Sequence, residues 1–146
     1  MRITEVETVS VELAAACADL VRQLTDHASP PTRDELERLA GSPSAALFVA
    51  VDEEVADAVL GMITLAVFQI PTGVRAWIED LVVDEAARGR GIGEALTRHA
   101  IDRAAELGAR RVLLTSSSFR EAANRLYRRL GFSRRDTNFY ELTIDD

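Results

Sequence analysis

The chain has 146 residues, and its 17 basic side chains against 24 acidic ones give a formal net charge of −7. This length suits one domain, and we expect a single domain over residues 1–146. The acidic balance argues against a nucleic-acid partner bound through phosphates. Every basic residue is arginine, which excludes lysine Schiff bases and the lysine-containing phosphate loop. The amino terminus lacks the apolar stretch of a secretory signal and no apolar run reaches membrane-spanning length, so we expect a cytoplasmic protein without a membrane partner.

The first half of the chain predicts one short strand, two helices and three longer strands. A weak strand in RITEVE precedes a helix in VELAAACADLVRQLTDH, whose apolar residues recur at helical spacing. Thr32 and Glu35 have the spacing of a capping box that begins a second helix, and Gly41 ends it. The three strands are AALFVAV, VLGMITLAVFQI and RAWIEDLVV.

The second half alternates strands and helices. After the segment RGRGIG, apolar residues about one turn apart over Ile92–Leu107 predict a helix that Gly108 ends. RRVLLTS predicts a buried strand, and NFYELTI predicts a closing strand. Between them, Ser118 and Glu121 have capping-box spacing for a helix in REAANRLYRRL that Gly131 ends. Hairpins followed by a strand–helix–strand crossover predict an α/β sheet of mixed direction with helices on both faces.

Few side chains have the spacing of a nucleophilic or metal site. Cys17 is the single cysteine, so no intrachain disulfide forms, and its alanine-rich surroundings favour a small buried residue. His27 and His99 lie far apart without neighbouring cysteine or histidine. We therefore expect no metal site.

The segment Arg88–Gly93 separates a strand from a helix and carries three glycines at alternate positions. Amides at a helix N-terminus have no intrahelical partner, and glycines let an anion approach them closely. The segment therefore suits a pyrophosphate. The same sequence also fits an ordinary strand-to-helix turn with two solvated arginines. Its G-x-G-x-G spacing differs from the dinucleotide fingerprint G-x-G-x-x-G, which argues against a nicotinamide or flavin enzyme.

The same segment matches the R/Q-x-x-G-x-G/A signature of the GNAT superfamily of acyl-CoA-dependent N-acetyltransferases. The preceding AWIEDLVVDEAA and the later SSSFREAANRLYRRLGF also resemble that family, so the resemblance covers about residues 75–142. Two positions depart from it: Glu85 stands where many members have proline, and Glu94 where many have a hydroxyl or basic residue. The resemblance implies a mixed, mostly antiparallel central sheet flanked by helices on both faces, with acetyl-CoA as co-substrate.

The resemblance also implies which residues bind the donor. Pantetheine would pair with the strand end at Leu81, Val82 and Val83, and Asn124 would bind the CoA arm or its linking water. The pyrophosphate would lie on the segment after that strand, which comprises Arg88, Gly89, Arg90, Gly91, Ile92, Gly93 and Glu94.

Three residues are candidates for the chemistry. Glu79 and Asp80 are adjacent acids inside an apolar strand, and strict alternation would point them to opposite faces, one of them toward a covered face or cleft. A carboxylate there would have a raised pKa and could accept a proton from the amine. The resemblance favours Glu79 as this base, with Asp80 as its rival. It also implies that Tyr127 is the general acid for the departing thiolate, although its spacing equally suits a core tyrosine.

With these candidates, the resemblance implies an N-acetyltransferase that moves an acetyl group from acetyl-CoA to a primary amine by direct attack in a ternary complex. The alternative is a non-catalytic acyl-CoA-binding sensor or interaction domain of the same fold. The acceptor stays open among a small amine, an amino sugar, an antibiotic and a protein amine. The resemblance also allows a homodimer.

Overall fold

The computed structural model of the chain describes residues 1–145 and forms two compact units, divided after Thr115. The first unit contains nine elements in chain order: β1 (Arg2–Glu5), α1 (Val11–Leu24), α2 (Arg33–Ala40), β2 (Ala45–Asp52), β3 (Ala58–Ile70), β4 (Gly73–Val83), a 3-10 turn (Glu85–Ala87), α3 (Ile92–Glu106) and β5 (Val112–Leu113). The second unit contains α4 (Glu121–Arg129). Within residues 1–145, no helix is both long and apolar enough to cross a membrane.

The sheet has five strands in the order β1-β2-β3-β4-β5. Each of the first three neighbouring pairs is antiparallel. Short turns join β2 to β3 and β3 to β4, whereas α1 and α2 lie between β1 and β2. β5 pairs parallel to β4, since α3 carries the chain back across the sheet before β5 begins. The predicted sheet of mixed, mostly antiparallel direction is therefore confirmed.

Helices cover both faces of this sheet. The side chains of β2 alternate, so that Leu47 and Val49 join the buried cluster that Cys17 and Leu36 form beneath α1 and α2. Between them, Phe48 points to the other face, where its ring meets His99 of α3 edge-to-face at 4.7 Å between centroids. The predicted placement of helices on both faces is confirmed.

Helix ends in the first unit follow the sequence signals. Thr32 Oγ1 accepts a hydrogen bond from the Glu35 amide, and Glu35 Oε1 accepts one from the Thr32 amide, which completes the predicted capping box. Gly41 takes the C-cap of α2, and Gly108, with φ 94°, follows α3 in the left-handed conformation expected after a helix end.

The predicted capping box of α4 is wrong. α4 begins at Glu121 with Arg120 as its N-cap, and no side chain caps it. Glu121 is therefore the first helical residue, whereas a capping box needs its acid at the third. Gly131 follows the end of α4 with φ 100°, as predicted.

Two strand predictions also need correction. RRVLLTS was predicted as a full strand, but β5 covers only Val112 and Leu113. NFYELTI forms no strand, and its four largest apolar side chains are between 72% and 96% exposed: Phe139, Tyr140, Leu142 and Ile144. Alternation favours an extended backbone, but a strand also requires a partner, and none of the described residues pairs with this segment.

Candidate functional site

A β-bulge interrupts β4 at the two acids. Thr64 of β3 lies opposite Glu79, and Met62 lies opposite Val82, so two steps along β3 match three steps along β4. The extra residue falls at Asp80, whose φ of 51° is in the left-handed region. Aspartate is among the few residues other than glycine that adopt this conformation readily.

The bulge changes which face each side chain occupies. Glu79 and Val82 are three residues apart and would lie on opposite faces of a regular strand. Because of the extra residue, Glu79 and Val82 lie on the same face of the sheet, the one covered by α1 and α2. Val82 joins the buried cluster there. Glu79 therefore lies on the face that α1 and α2 cover, although the side chains of Glu79 and Asp80 are both exposed.

The charge of Asp80 affects its neighbour Glu79. The pKa of Glu79 is raised above its ordinary value, first by partial desolvation and second by the neighbouring charge of Asp80. Glu79 therefore holds a proton more tightly than a solvated glutamate does. A carboxylate with this property is a stronger base for an approaching ammonium group.

β5 does not follow β4 past the bulge. The parallel pairing consists of Ala76 with Val112 and Trp77 with Leu113, and β5 ends there. On its other edge β4 continues to pair with β3 as far as Val83, opposite Gly61. The strand end at Val82 and Val83 is thus held by one neighbouring strand, and β5 does not extend along it.

The loop between β4 and α3 owes its shape to two glycines. Gly89 has φ 82° and Gly91 has φ 77°, both in the left-handed region. Gly91 is also the N-cap of α3 and makes no side-chain cap hydrogen bond. A Cβ at either glycine would meet no heavy atom within 4 Å, so the space in front of this backbone is open. A helix N-terminus behind open glycine backbone suits a diphosphate.

The other loop residues have distinct contacts. Arg88 donates from Nε to the Val83 carbonyl at 3.4 Å, which ties the loop to the end of β4. Arg90 lies 3.9 Å from Asp52, a long and exposed ion pair that contributes little to stability. Gly93 is an ordinary residue of the first turn of α3 and accepts a hydrogen bond from the Thr97 hydroxyl at 2.7 Å. Only two of the three motif glycines therefore need a positive φ.

The second unit contains the two remaining candidates, both on α4. Asn124 donates from Nδ2 to the Ser117 carbonyl at 2.9 Å, which fixes the turn before the helix. Tyr127 is buried, and its ring meets Phe132 edge-to-face at 5.7 Å between centroids. Burial raises the pKa of Tyr127, and the charge of Arg120 opposes this only in part. The phenol therefore stays protonated at neutral pH.

Sequence reasoning missed the bulge, although a signal for it was present. Two adjacent acids interrupt an otherwise apolar strand, and aspartate tolerates a left-handed backbone. Their positions suggested alternation to two faces, whereas the register shows that Asp80 is the inserted residue.

The fold is shared with known acetyltransferases. A putative acetyltransferase from Agrobacterium tumefaciens superimposes with a TM-score of 0.80 at 23% identity, over 98% of this chain and 100% of that one. An aminoglycoside acetyltransferase from an uncultured soil metagenomic sample, in complex with trehalose, gives 0.84 at 20% identity, over 99% and 96% of the two chains. Its complex with sisomicin gives 0.83 at 19% identity, over 99% and 96%.

The sequence identifies the particular family. The profile of the acetyltransferase (GNAT) family matches residues 13–132, and the chain therefore belongs to the GNAT family of acetyltransferases. Streptothricin acetyltransferase of Streptomyces lavendulae is 44% identical over 59 residues, which are 40% of this chain and 31% of that protein. Mycothiol acetyltransferase of Renibacterium salmoninarum is 35% identical over 97 residues, 65% of this chain and 28% of that protein. The chain matches about a third of the length of these curated relatives.

Proposed function

We propose that this protein transfers an acetyl group from acetyl-CoA to a primary amine by direct attack in a ternary complex. The observation that carries the proposal is the N-terminus of α3 behind the open, left-handed backbone of Gly89 and Gly91, directly after the bulged strand β4. Membership of the GNAT family supports it. Acetyl-CoA supplies the acetyl group as an activated thioester.

The donor would be held mainly by backbone. The diphosphate would lie against the segment from Arg88 to Glu94, with the amides of the first turn of α3 as donors. Pantetheine would pair with the end of β4 from Leu81 to Val83, and Asn124 would bind the CoA arm through its side-chain carbonyl. The open space at Gly89 and Gly91 is consistent with a bulky anion there.

The acceptor amine must lose a proton, since a free alkyl ammonium has a pKa of about 10. We assign this proton to Glu79, directly or through a water molecule. Its raised pKa and its exposure to solvent support the assignment. Asp80 is the rival base, and its left-handed backbone holds the second carboxylate next to the first.

Two further groups would complete the transfer. A backbone amide of β4 near Val82 would donate a hydrogen bond to the thioester oxygen as it gains charge. Tyr127 would donate its proton to the departing thiolate. The raised pKa of Tyr127 supports this role, because a general acid must be protonated when it acts.

A covalent acetyl-cysteine route is disfavoured. Cys17 is fully buried within the cluster beneath α1 and α2, and burial raises the pKa of its thiol to about 11. At neutral pH this thiol is protonated, whereas the thiolate is the nucleophile. Direct attack by the amine requires no such residue.

For the acceptor we propose a small cationic amine. The relatives and structural neighbours named for their substrates include a streptothricin acetyltransferase and an aminoglycoside acetyltransferase. The net charge of −7 and the adjacent exposed acids of the bulge favour a positively charged acceptor by long-range attraction.

The test combines two measurements. Addition of CoA should raise the melting temperature saturably. Release of the free thiol from acetyl-CoA should then depend on an added amine, with a panel of aminoglycosides, streptothricin, amino sugars, simple alkyl amines and a peptide. Stabilisation without turnover on any amine would favour the non-catalytic acyl-CoA-binding alternative. Absence of stabilisation by CoA would overturn the proposal.

A further inference from the structure

We propose that Gln23 of α1 is a positioning residue for the glycine loop. Its Oε1 accepts a hydrogen bond from the Glu85 amide at 2.9 Å, although the two residues are far apart in sequence. Glu85 begins the 3-10 turn that connects β4 to the loop. This inference rests on the proposed function, because the loop is the proposed donor site.

The hydrogen bonds of the turn show why this contact is distinctive. The Asp84 amide donates to the Leu60 carbonyl at 2.8 Å, and the amides of Ala86 and Ala87 donate to the side chain and carbonyl of Asp84. These acceptors belong to the sheet or to the turn itself. The acceptor for Glu85, by contrast, is a side chain of a separate helix.

The Asp19 carboxylate favours this orientation of the Gln23 amide. Gln23 Nε2 donates to Oδ2 of Asp19, one helical turn earlier, at 3.5 Å. This leaves the carbonyl oxygen of Gln23 toward the Glu85 amide, and a flipped amide would place two donors against each other. The hydrogen bonds therefore connect Asp19, Gln23 and the first residue of the turn.

The effect on the loop follows from its reliance on backbone. Gly89 and Gly91 adopt left-handed conformations in open space and have no side chains of their own to anchor the loop. A turn anchored at Glu85 limits the conformations available to the residues that follow it. Loss of the anchor should weaken donor binding, which depends on the positions of the loop amides, and leave the chemical step unchanged.

The first test replaces Gln23 with leucine, which keeps the size and removes the acceptor. We expect CoA to bind about three- to tenfold more weakly, the loss associated with one hydrogen bond. KM for acetyl-CoA should rise with kcat nearly unchanged, and amide hydrogen exchange at residues 84–93 should accelerate. Gln69→Leu is the matched control, because the Gln69 side chain donates only to its own neighbour, the Ile70 carbonyl, in a different part of the sheet.

The second test removes the donor. Proline at position 85 has no N–H, and Asp84, with φ −52° and ψ 132°, already has the extended conformation that precedes proline. In Glu85→Pro the turn is fixed by the ring, so Gln23→Leu should have no further effect on affinity. Glu85→Ala, which removes the charge and keeps the N–H, should retain full sensitivity to Gln23→Leu.

The outcomes separate this inference from the proposed function. If Gln23→Leu weakens CoA binding equally with glutamate and with proline at position 85, the positioning role is overturned. Unchanged amide hydrogen exchange at residues 84–93 in Gln23→Leu would also overturn it. If the wild-type protein does not bind CoA, the proposed function fails, while accelerated exchange in Gln23→Leu would still support the anchored turn.

Discussion

The bulge within β4 and the glycine loop after it both contain residues with a left-handed backbone, but they use different residue types. In the loop, Gly89 and Gly91 carry the positive φ at little conformational cost. In the bulge, Asp80 carries it, and a residue with a Cβ pays roughly 1–2 kcal/mol for this conformation. The loop therefore exposes bare backbone, whereas the bulge retains a charged side chain.

This difference indicates a division of roles. Backbone amides bind a diphosphate irrespective of side chains, so glycine suits the loop. At the bulge, aspartate keeps a second carboxylate beside Glu79, whose pKa is raised first by desolvation and second by that charge. We expect changes at the bulge to alter rate and pH dependence, and changes at the loop to alter donor affinity.

The largest effect is expected for Glu79→Gln. Loss of a general base typically costs about 100- to 10,000-fold in rate, so kcat/KM at neutral pH should fall by at least about 100-fold. The acidic limb of the pH–rate profile should also flatten. Glu54→Gln, in the exposed turn between β2 and β3, is the control. It should change neither kcat/KM nor the acidic limb of the pH–rate profile. If Asp80→Asn flattens the acidic limb instead, Asp80 is the base.

Tyr127→Phe tests the proposed general acid on α4. We expect kcat to fall by roughly 100-fold, while the Kd for acetyl-CoA stays near its wild-type value. Because the pKa of Tyr127 is raised, the wild-type alkaline limb should lie above the range of an ordinary tyrosine. The matched control is Tyr140→Phe at the highly exposed second tyrosine. Unchanged turnover of Tyr127→Phe at every pH would remove this residue from the mechanism.

Gly91→Ala tests the loop. The added Cβ meets no neighbouring atom, so the cost is the strain at φ 77°, roughly 1–2 kcal/mol in the free energy of unfolding. CoA affinity should fall by about tenfold as the loop relaxes, with kcat at saturating donor little changed. Gly41→Ala is the control, because Gly41 has φ −89° and room for a Cβ. A fall in kcat at unchanged affinity would contradict the division of roles.

The same contrast explains what the sequence could predict. A glycine indicates in the sequence where a left-handed residue can occur. The loop, α3 and the end of α3 before Gly108 were predicted correctly. The bulge was not, because the location of an inserted residue depends on the register with β3. NFYELTI has the pattern of a strand, but pairing is a long-range property that its residues do not determine. The contact of Gln23 with Glu85 likewise joins distant segments.

The smallest effect is expected for Asp80→Asn. Asparagine tolerates the left-handed backbone, so the bulge should persist while the charge next to Glu79 is lost. The pKa of Glu79 should then fall, and the acidic limb of the pH–rate profile should move to lower pH without loss of the plateau rate.

Asp80→Asn should also change how stability depends on pH, because folding is linked to protonation of Glu79. With its raised pKa, wild-type Glu79 binds its proton more tightly in the folded state than in the unfolded state. Its contribution to stability is therefore full below the ordinary glutamate pKa and is lost as the pH rises through the folded value. Asp80→Asn should reduce this loss, so the variant should gain stability relative to wild type above that range. Urea unfolding from pH 4 to 8 measures this difference in stability. If the acidic limb of the pH–rate profile stays at its wild-type position in Asp80→Asn, Asp80 does not raise the pKa of Glu79.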